Sequence, residues 1–162
     1  MAKEIERKFL VKLAAWTPQS GGKYYKQGYL NSQKERVVRV RIAGDKGQLT
    51  IKGITTGVTR AEFEYPISIE DAGLMLDNLC EKPLIEKHRH KEVHGGKTWE
   101  IDVFHGDNEG LVVAEVELPA ESVSPILPPW AGEDTPIDWE VELVQPPAPA
   151  PATSGSAKPG KK

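Results

Sequence analysis

The sequence predicts a mainly β protein whose eight strands close into an antiparallel barrel, with helices packed outside it. Two observations predict this class. Charged or polar residues alternate with apolar ones in most of eight short segments, and the links between these segments are mostly of hairpin length. An open sheet of eight strands would leave two unpaired edges, so closure into a barrel is the economical arrangement.

The predicted strands follow one another along the chain. They cover residues 4–11, 24–30, 36–42, 48–52, 59–69, 84–93, 98–104 and 111–119. Glycine-rich turns at residues 44–47 and 94–97 separate two pairs of strands, because glycine accepts the positive φ of tight hairpins. Residues 12–22 predict a loop with room for one helical turn. Proline-rich residues 122–138 predict irregular structure, and residues 139–144 a short last strand.

One segment, residues 70–80, predicts a helix rather than a strand. It begins with Glu70 and Asp71, whose charges complement the positive end of the helix dipole. Its apolar residues recur at helical spacing, at Ala72, Met75, Leu76 and Leu79. We therefore expect one amphipathic helix against the outside of the barrel.

Composition bounds the class of protein. A chain of 162 residues suits a single core, and a net charge of -3 gives no electrostatic reason to bind nucleic acid. No apolar run approaches the ~18 residues of a membrane span, and the N-terminus lacks the apolar region of a signal peptide. Cys80 is the single cysteine, so we expect no internal disulfide and a reducing, cytoplasmic location.

The C-terminal residues differ in composition from the rest. Residues 145–162 are rich in proline, alanine, serine and glycine and lack large apolar side chains. Such a segment buries too little apolar surface to offset its chain entropy. We expect a folded domain over residues 1–144 and a disordered tail over residues 145–162.

The first strand carries the most informative pattern, E-I-E-R-K. Alternation places Glu4, Glu6 and Lys8 on one face of the strand and Ile5 and Phe9 on the other. Alternate side chains lie about 7 Å apart, so both carboxylates can reach one hard cation, directly or through water. This pattern alone is also typical of an exposed strand, and it gains weight because later strands repeat it.

Charged residues share one strand face along most of the chain. The acidic set is Glu4, Glu6, Glu62, Glu64, Glu100, Asp102, Glu115 and Glu117, and the basic set is Lys8, Arg39, Arg41, Lys52, Arg60, Lys87 and Arg89. The two-residue repeat of side chains along a strand does not by itself decide whether this charged face lines the interior or meets solvent. The two signs are sorted by strand, however, and a solvated face would mix them. We therefore predict a charged interior.

A wet cavity with both signs of charge suits one class of ligand. Arginine and lysine bind phosphate oxygens, and arginine does so with two parallel hydrogen bonds. Clustered carboxylates repel a polyanion but bind Mg²⁺ or Mn²⁺, which bridges phosphates or activates water. The lining therefore predicts a polyphosphate bound together with Mg²⁺ or Mn²⁺.

Nine motifs in this order resemble the CYTH superfamily, the triphosphate tunnel metalloenzymes. They are EIERKF, KQGYL, VRVR, LTIKG, RAEFEYPI, IEKHR, WEIDVF, LVVAEVEL and PPW, and the resemblance covers about residues 2–132. The family fold is an eight-stranded antiparallel tunnel with a charged lumen. The resemblance implies hydrolysis or transfer on a small molecule that contains a triphosphate, with a divalent metal, rather than binding to nucleic acid or membranes.

The resemblance also implies roles for individual residues. The implied metal ligands are Glu4, Glu6, Asp102, Glu115 and Glu117, and the implied triphosphate ligands are Lys8, Arg39, Arg41, Lys52 and Arg89. Supporting positions in the lumen are Glu62, Glu64, Glu100 and Arg60. Similarity to the short bacterial tripolyphosphatase branch implies catalytic roles for Lys87 and Tyr29.

The leading hypothesis is a metal-dependent inorganic triphosphatase, which splits tripolyphosphate into pyrophosphate and phosphate. Thiamine triphosphatase, adenylate cyclase and nucleoside triphosphatase of the same superfamily are alternatives. The sequence shows no obvious device for stacking a nucleoside, although Trp16, Trp99 or Trp130 could serve. A non-catalytic polyphosphate-binding module is another alternative. A metal site built on His88, His90 and His94 is less favoured than an exposed strand and turn. Monomer and homodimer both stay open.

The chain departs from the resemblance at its C-terminal end. Family members usually end with a helix that closes the tunnel, whereas Glu133 and Asp134 here lead into TPIDWEVELVQPP, which lacks that helical pattern. Two outcomes are open: one mouth of the tunnel is wider than usual, or residues 139–144 cover it in another way.

Overall fold

The computed structural model describes residues 3–19, 21–136 and 139–143, so residue 144 and the predicted tail at 145–162 lie outside the described residues. The strands are β1 (Lys3–Val11), β2 (Lys23–Asn31), β3 (Arg36–Ala43), β4 (Lys46–Gly53), β5 (Thr59–Ile67), β6 (Ile85–His94), β7 (Lys97–Phe104), β8 (Val112–Glu117) and β9 (Ala131–Thr135). The helices are α1 (Ile69–Asn78) and three short 3-10 helices, Leu13–Ala15, Gly106–Asn108 and Trp139–Leu143. Each of the eight predicted strands is present.

Strands β1 to β8 form a closed antiparallel barrel, which confirms the predicted fold class. Around the barrel the order is β5-β4-β3-β2-β6-β7-β8-β1, and pairing of β1 with β5 closes the ring. At this seam Glu4 lies opposite Arg60. Closure pairs the two strands that would otherwise be edges, so backbone groups on both find partners.

A ninth strand lies where the proline-rich pattern predicts irregular structure. Strand β9 pairs antiparallel with the second half of β1, and Lys8 lies opposite Thr135. Strand β5 pairs with β1 over Lys3–Ile5 alone, so it leaves the second half of that edge to β9. The prediction of irregular structure over residues 122–138 was wrong here, because backbone pairing holds the polar segment AGEDT and no apolar alternation marks it.

The apolar strand faces point outward and are covered from two sides. Helix α1 packs Ala72 and Leu76 against Val40 on the outside of β3. The helix begins after Ser68, whose Oγ accepts a hydrogen bond from the Asp71 backbone N–H at 3.0 Å. Helix α1 has ten residues. None of the described helices is long and apolar enough to cross a membrane.

The segment after β8 covers a second outer face, on β1, β7 and β8. Its Trp130 packs edge-on against Trp99 at 5.6 Å between ring centroids, and Trp99 in turn packs against Phe9 at 5.7 Å. These three rings belong to one buried cluster outside the barrel. Trp99 and Trp130 are therefore packing residues of the outer layer.

Both glycine-rich turns form the tight hairpins that the sequence predicts. Ala43 lies opposite Lys46 across the first turn, and His94 lies opposite Lys97 across the second. In the second turn Gly95 and Gly96 have φ values of 61° and 77°. Positive φ at both central residues is the geometry of a type I′ turn, which matches the twist of the flanking strands.

One end of the barrel interior is apolar. Inward-facing residues of five strands form a cluster there, and Val141 lies against it; the inward-facing members are Tyr29, Val37, Ile85, Phe104 and Val113. Val141 belongs to the 3-10 helix Trp139–Leu143, so the prediction of a strand over residues 139–144 was wrong. Of the two outcomes left open, the C-terminal segment covers this end of the barrel in another way.

The packing of α1 predicts unequal costs for two leucine truncations. Leu76 is 1% exposed and Leu74 is 60% exposed on the same helix. We expect Leu76→Ala to lower the free energy of unfolding by about 2–5 kcal/mol, since it leaves a cavity in the outer core. The control, Leu74→Ala, should change it by less than about 0.5 kcal/mol. Urea denaturation measures both, and equal losses would contradict the described packing.

Candidate active site

The charged strand faces line the barrel interior, as the sorting of charges predicts. They enclose a cavity of about 240 Å³. Thirteen predicted site residues line it: Glu4, Glu6, Lys8, Arg39, Arg41, Lys52, Glu62, Glu64, Lys87, Arg89, Glu100, Glu115 and Glu117. The barrel therefore brings together residues from strands that are far apart in the chain.

Three predicted site residues lie behind this main cavity. Arg60 and Tyr29 line a second cavity of about 10 Å³, and Asp102 lines a third of the same volume. A space of this size holds about one water molecule. Tyr29 and Asp102 are both buried, and Asp102 pairs with Lys87 and Arg89.

The strand order sorts the lumen into two walls. The basic wall comprises the adjacent strands β4, β3, β2 and β6, and it carries Lys52, Arg39, Arg41, Lys87 and Arg89. The acidic wall comprises β7, β8, β1 and β5, and it carries Glu4, Glu6, Glu62, Glu64, Glu100, Asp102, Glu115 and Glu117, with Lys8 and Arg60 among them. An anion and a cation would each find a complementary wall.

Ion pairs join the two walls at the closure seam. The Glu4 carboxylate accepts hydrogen bonds from Arg60 Nε at 2.7 Å and from Lys52 Nζ at 3.2 Å. Burial opposes ionisation of Glu4, but Lys52 and Arg60 outweigh it and lower the pKa of Glu4 to about 2. Burial and the nearby Arg39 lower the pKa of Lys52 to about 8, despite the pairing with Glu4.

A second set of ion pairs holds Lys87 and Arg89. Arg89 donates to both Asp102 oxygens, from Nε at 2.7 Å and from Nη2 at 2.8 Å, and Nη2 also donates to Glu115 at 2.6 Å. Lys87 Nζ lies 2.9 Å from Asp102 Oδ2. Although burial opposes its ionisation, these two cations keep the pKa of Asp102 below its usual value.

Glu6 and Glu115 form a pair of neighbouring carboxyl groups on the acidic wall. Lys8 Nζ lies 3.6 Å from Glu6 Oε2 and 3.6 Å from Glu115 Oε2, and the buried Glu6 Oε2 accepts no hydrogen bond. Burial and the adjacent Glu115 charge raise the pKa of Glu6 well above its usual range. A hard cation would offset this repulsion and bind Glu6 Oε2, which accepts no hydrogen bond, so the donors fit a divalent metal.

The protein side chains alone would not complete the coordination shell of such a metal. Among the described residues, no three histidine, cysteine or carboxylate side chains converge as a complete metal site. A cation beside Glu6 would thus need further oxygens from water or a ligand, which is how Mg²⁺ is usually held in phosphate sites.

The basic wall has an unpartnered group of the opposite kind. Arg39 Nε is buried without a hydrogen-bond partner, and Arg39 Nη2 lies 4.0 Å from Glu64 Oε2. A buried N–H without a partner is costly. An anion in the cavity would accept this hydrogen bond, so one wall has an unused donor and the other an unused acceptor.

Sequence reasoning missed Tyr25, which lines the cavity between two guanidinium groups. The Arg41 guanidinium carbon lies 4.7 Å from the ring centroid and that of Arg89 lies 5.0 Å from it. Both contacts have cation–π geometry. Tyr25 shares the inward face of β2 with Gln27 and Tyr29, so strand alternation was the signal that could have found it.

Sequence reasoning also missed Glu140, which enters the lumen from the C-terminal 3-10 helix. It lines all three cavities and is 6% exposed. Its carboxylate contacts Gln27, Tyr29 and Lys87. No strand alternation marks this residue, because the segment that carries it lies outside the barrel wall.

The histidines considered for a metal site lie outside the tunnel. A His88 ring nitrogen lies 2.7 Å from a ring nitrogen of His105, and His90 packs against Trp16 at 5.5 Å between ring centroids. Both strand histidines point away from Lys87 and Arg89, as alternation along β6 predicts.

Comparison with known proteins identifies the family of this chain. The family model of the CYTH domain matches residues 2–140. An inorganic triphosphatase of Acetivibrio thermocellus is 49% identical over 134 residues, which cover 83% of this chain and 86% of that protein. An inorganic triphosphatase of Nitrosomonas europaea is 34% identical over 143 residues, covering 83% of this chain and 90% of that protein.

Solved structures agree with this assignment. A crystal structure of an inorganic triphosphatase matches with a TM-score of 0.56 and 31% identity, over 81% of this chain and 88% of that chain. A putative adenylate cyclase from Bacillus halodurans shares the fold with a TM-score of 0.59 at 16% identity, over 75% of this chain and 84% of that chain. This chain belongs to the CYTH domain family.

Proposed function

We propose that this protein hydrolyses inorganic triphosphate to pyrophosphate and phosphate with the help of a divalent cation. The observation that carries the proposal is the sorted lumen, in which a buried basic wall faces a buried acidic wall. Eight carboxylates and six cationic side chains of the described residues line the main cavity. A polyanion bound there would add to the excess of negative charge, so a metal cation would strengthen its binding.

The basic wall would hold the phosphate chain. Arg39, Arg41 and Arg89 supply guanidinium forks that match phosphate oxygens, and Lys52 and Lys8 supply point charges. Arg39 has an unused buried donor at Nε. Hydrogen bonds to the substrate would therefore replace no existing contact of that atom.

The acidic wall would hold the cation, Mg²⁺ or Mn²⁺. We propose Glu6, Glu115 and Glu117 as its first ligands, because a buried Glu6 oxygen beside Glu115 accepts no hydrogen bond and Glu117 lies opposite Glu6 on the neighbouring strand. Roles for Glu4 and Asp102 as metal ligands stay predictions. A divalent metal supplies charge neutralisation and a more acidic bound water.

Hydrolysis of a phosphoanhydride asks mainly for positioning and charge neutralisation, so no nucleophilic side chain is required. The attacking group would be water and the leaving group pyrophosphate. Lys87 lines the cavity from the basic wall and would stabilise charge on the leaving oxygens. The Tyr29 hydroxyl donates a hydrogen bond to Glu140, and the catalytic role of Tyr29 stays a prediction.

The aromatic residues favour an inorganic substrate over a nucleotide or a thiamine ester. Trp99 and Trp130 are buried in the outer layer, and Trp16 packs outside β6. Tyr25 is the one aromatic residue among the described lining of the main cavity, and two guanidinium groups already contact its ring. No described lining residue thus offers a free stacking surface. The names of both inorganic triphosphatase relatives agree with this choice.

Phosphate release tests the proposal directly. We expect metal-dependent release from tripolyphosphate that exceeds release from ATP and thiamine triphosphate, and none in EDTA. Glu6→Gln should lower this activity by about 100-fold or more, because it removes a charged ligand. Extra Mn²⁺ should restore part of it. The control, Glu109→Gln, changes an exposed carboxylate and should leave activity unchanged.

Binding of tripolyphosphate without hydrolysis would contradict the proposed activity. If no substrate is hydrolysed in Mg²⁺ or Mn²⁺, yet tripolyphosphate raises the melting temperature, the protein is a polyphosphate-binding module and not an enzyme. The cytoplasmic location and the choice between monomer and homodimer stay predictions.

The low pKa of Lys52 predicts a pH dependence of binding. Burial and Arg39 lower this pKa to about 8, so the ammonium loses its charge as pH rises through 8 rather than through the usual 10.5. We expect the Kd for tripolyphosphate, measured by calorimetry in EDTA, to rise by up to about tenfold per pH unit above pH 8. Lys52→Arg keeps its charge there. An equal rise in Lys52→Arg would contradict this assignment.

A further inference from the structure

The C-terminal 3-10 helix places one carboxylate in the tunnel, and neither the motifs nor the barrel strands supply it. We propose that Glu140 is a positioning residue for triphosphate hydrolysis, which holds the Lys87 ammonium in place and makes the C-terminal segment part of the active site. This inference rests on the proposed function, because it needs a reaction in which Lys87 takes part.

Apolar contacts on both sides of Glu140 fix the helix that carries it. Val141 is 2% exposed and packs against the apolar end of the barrel interior. Trp139 packs edge-on against Phe104, at 5.6 Å between ring centroids. The backbone at Glu140 is thereby held against the barrel, and its side chain points into the lumen.

The Glu140 carboxylate makes three hydrogen bonds to groups on the basic wall. Oε2 accepts from Lys87 Nζ at 2.9 Å, and Oε1 accepts from Gln27 Nε2 at 2.8 Å and from the Tyr29 hydroxyl at 3.1 Å. Burial opposes its ionisation, but Lys87, Lys8 and Arg39 hold the pKa of Glu140 well below its usual range. Glu140 is therefore a fixed, charged acceptor.

Two carboxylates determine where the Lys87 ammonium points. Its Nζ lies 2.9 Å from Glu140 Oε2 and 2.9 Å from Asp102 Oδ2, and it lies 5.2 Å from the Phe104 ring centroid. An ammonium has three N–H donors, and these two acceptors use two of them. Because Lys87 also lines the main cavity, one N–H donor is left for a ligand there.

The same contacts connect the two guanidinium groups that would bind substrate. Gln27 donates to Glu140 and accepts from Arg41 Nε at 2.8 Å, while Asp102 pairs with both Lys87 and Arg89. The resulting path runs from Arg41 through Gln27, Glu140, Lys87 and Asp102 to Arg89. Glu140 is the one residue of this path that does not belong to a barrel strand.

Closing the barrel does not by itself call for a carboxylate. Val141 and Leu143 already place apolar side chains against the apolar end. Buried ion pairs contribute little net stability compared with apolar packing, and an extra negative charge repels a phosphate chain. Orientation of Lys87 explains why a charged acceptor stands at this place.

The test uses near-isosteric variants of the full chain. Glu140→Gln removes the negative charge and one of the two acceptor oxygens, so it leaves Lys87, Gln27 and Tyr29 to compete for the other. It should lower kcat for tripolyphosphate by about 100-fold, with KM changed by less than about threefold. Glu140→Asp keeps the charge but withdraws the carboxylate by one methylene, so it should also lower kcat. The control is Glu142→Gln, an exposed carboxylate on the same 3-10 helix that pairs with Lys34 at 2.9 Å; it should match the wild type.

A double-mutant cycle asks whether Glu140 acts through Lys87. In a Lys87→Met background, adding Glu140→Gln should change kcat by less than about twofold, since residues that act as a unit are not additive. Additive losses would contradict the inference, as would wild-type kcat in both Glu140→Gln and Glu140→Asp. A wild-type protein that hydrolyses no triphosphate would instead overturn the proposed function. If Glu140→Gln fails to fold, Glu140→Asp with wild-type kcat overturns the inference alone.

Discussion

The structure depends on one constraint, the enclosure of many charged side chains within a closed barrel. Strand alternation sends one face of each strand inward, and pairing of β1 with β5 turns those faces into one lumen. Charges in such a space are stable only when opposite charges or hydrogen-bond partners meet them. Apolar residues therefore cover the outside, where α1 and Trp130 pack, which reverses the usual inside and outside of a small barrel.

Most interior charges satisfy one another across the walls, and the exceptions mark where a ligand belongs. Glu4 and Asp102 are each held by two cations. Glu6 Oε2 and Arg39 Nε have no hydrogen-bond partner although both are buried. A metal cation would bind the first and a phosphate oxygen the second, so the proposed substrate complex completes the electrostatics of the protein. The C-terminal 3-10 helix adds Glu140 to this arrangement and closes the end of the lumen at the same time.

The barrel strands could be predicted from the sequence because alternation of charged and apolar residues marks them. The geometry of the strand backbone enforces this alternation. Alternation places Glu6, Arg39 and Lys87 on the same face of the barrel wall as the other charged residues, and the sorting of charge signs by strand predicts that this face points inward. Sequence reasoning missed two features that no alternation of residues marks. Strand β9 pairs through its backbone with no apolar pattern, and Glu140 comes from a short 3-10 helix that Val141 docks on the apolar end. Which inward charges pair with each other, as Asp102 does with Arg89, depends on three-dimensional distances that spacing along the chain does not give.

The central claim is that the two walls of the lumen bind a phosphate chain and a divalent cation side by side. A crystal structure of the protein with tripolyphosphate and Mn²⁺, with anomalous diffraction recorded for manganese, tests this claim most directly. The account predicts phosphates within hydrogen-bond distance of Arg39 and Arg41 and an anomalous peak beside Glu6 and Glu115. Phosphates bound on the outer surface, or manganese away from the acidic wall, would contradict it.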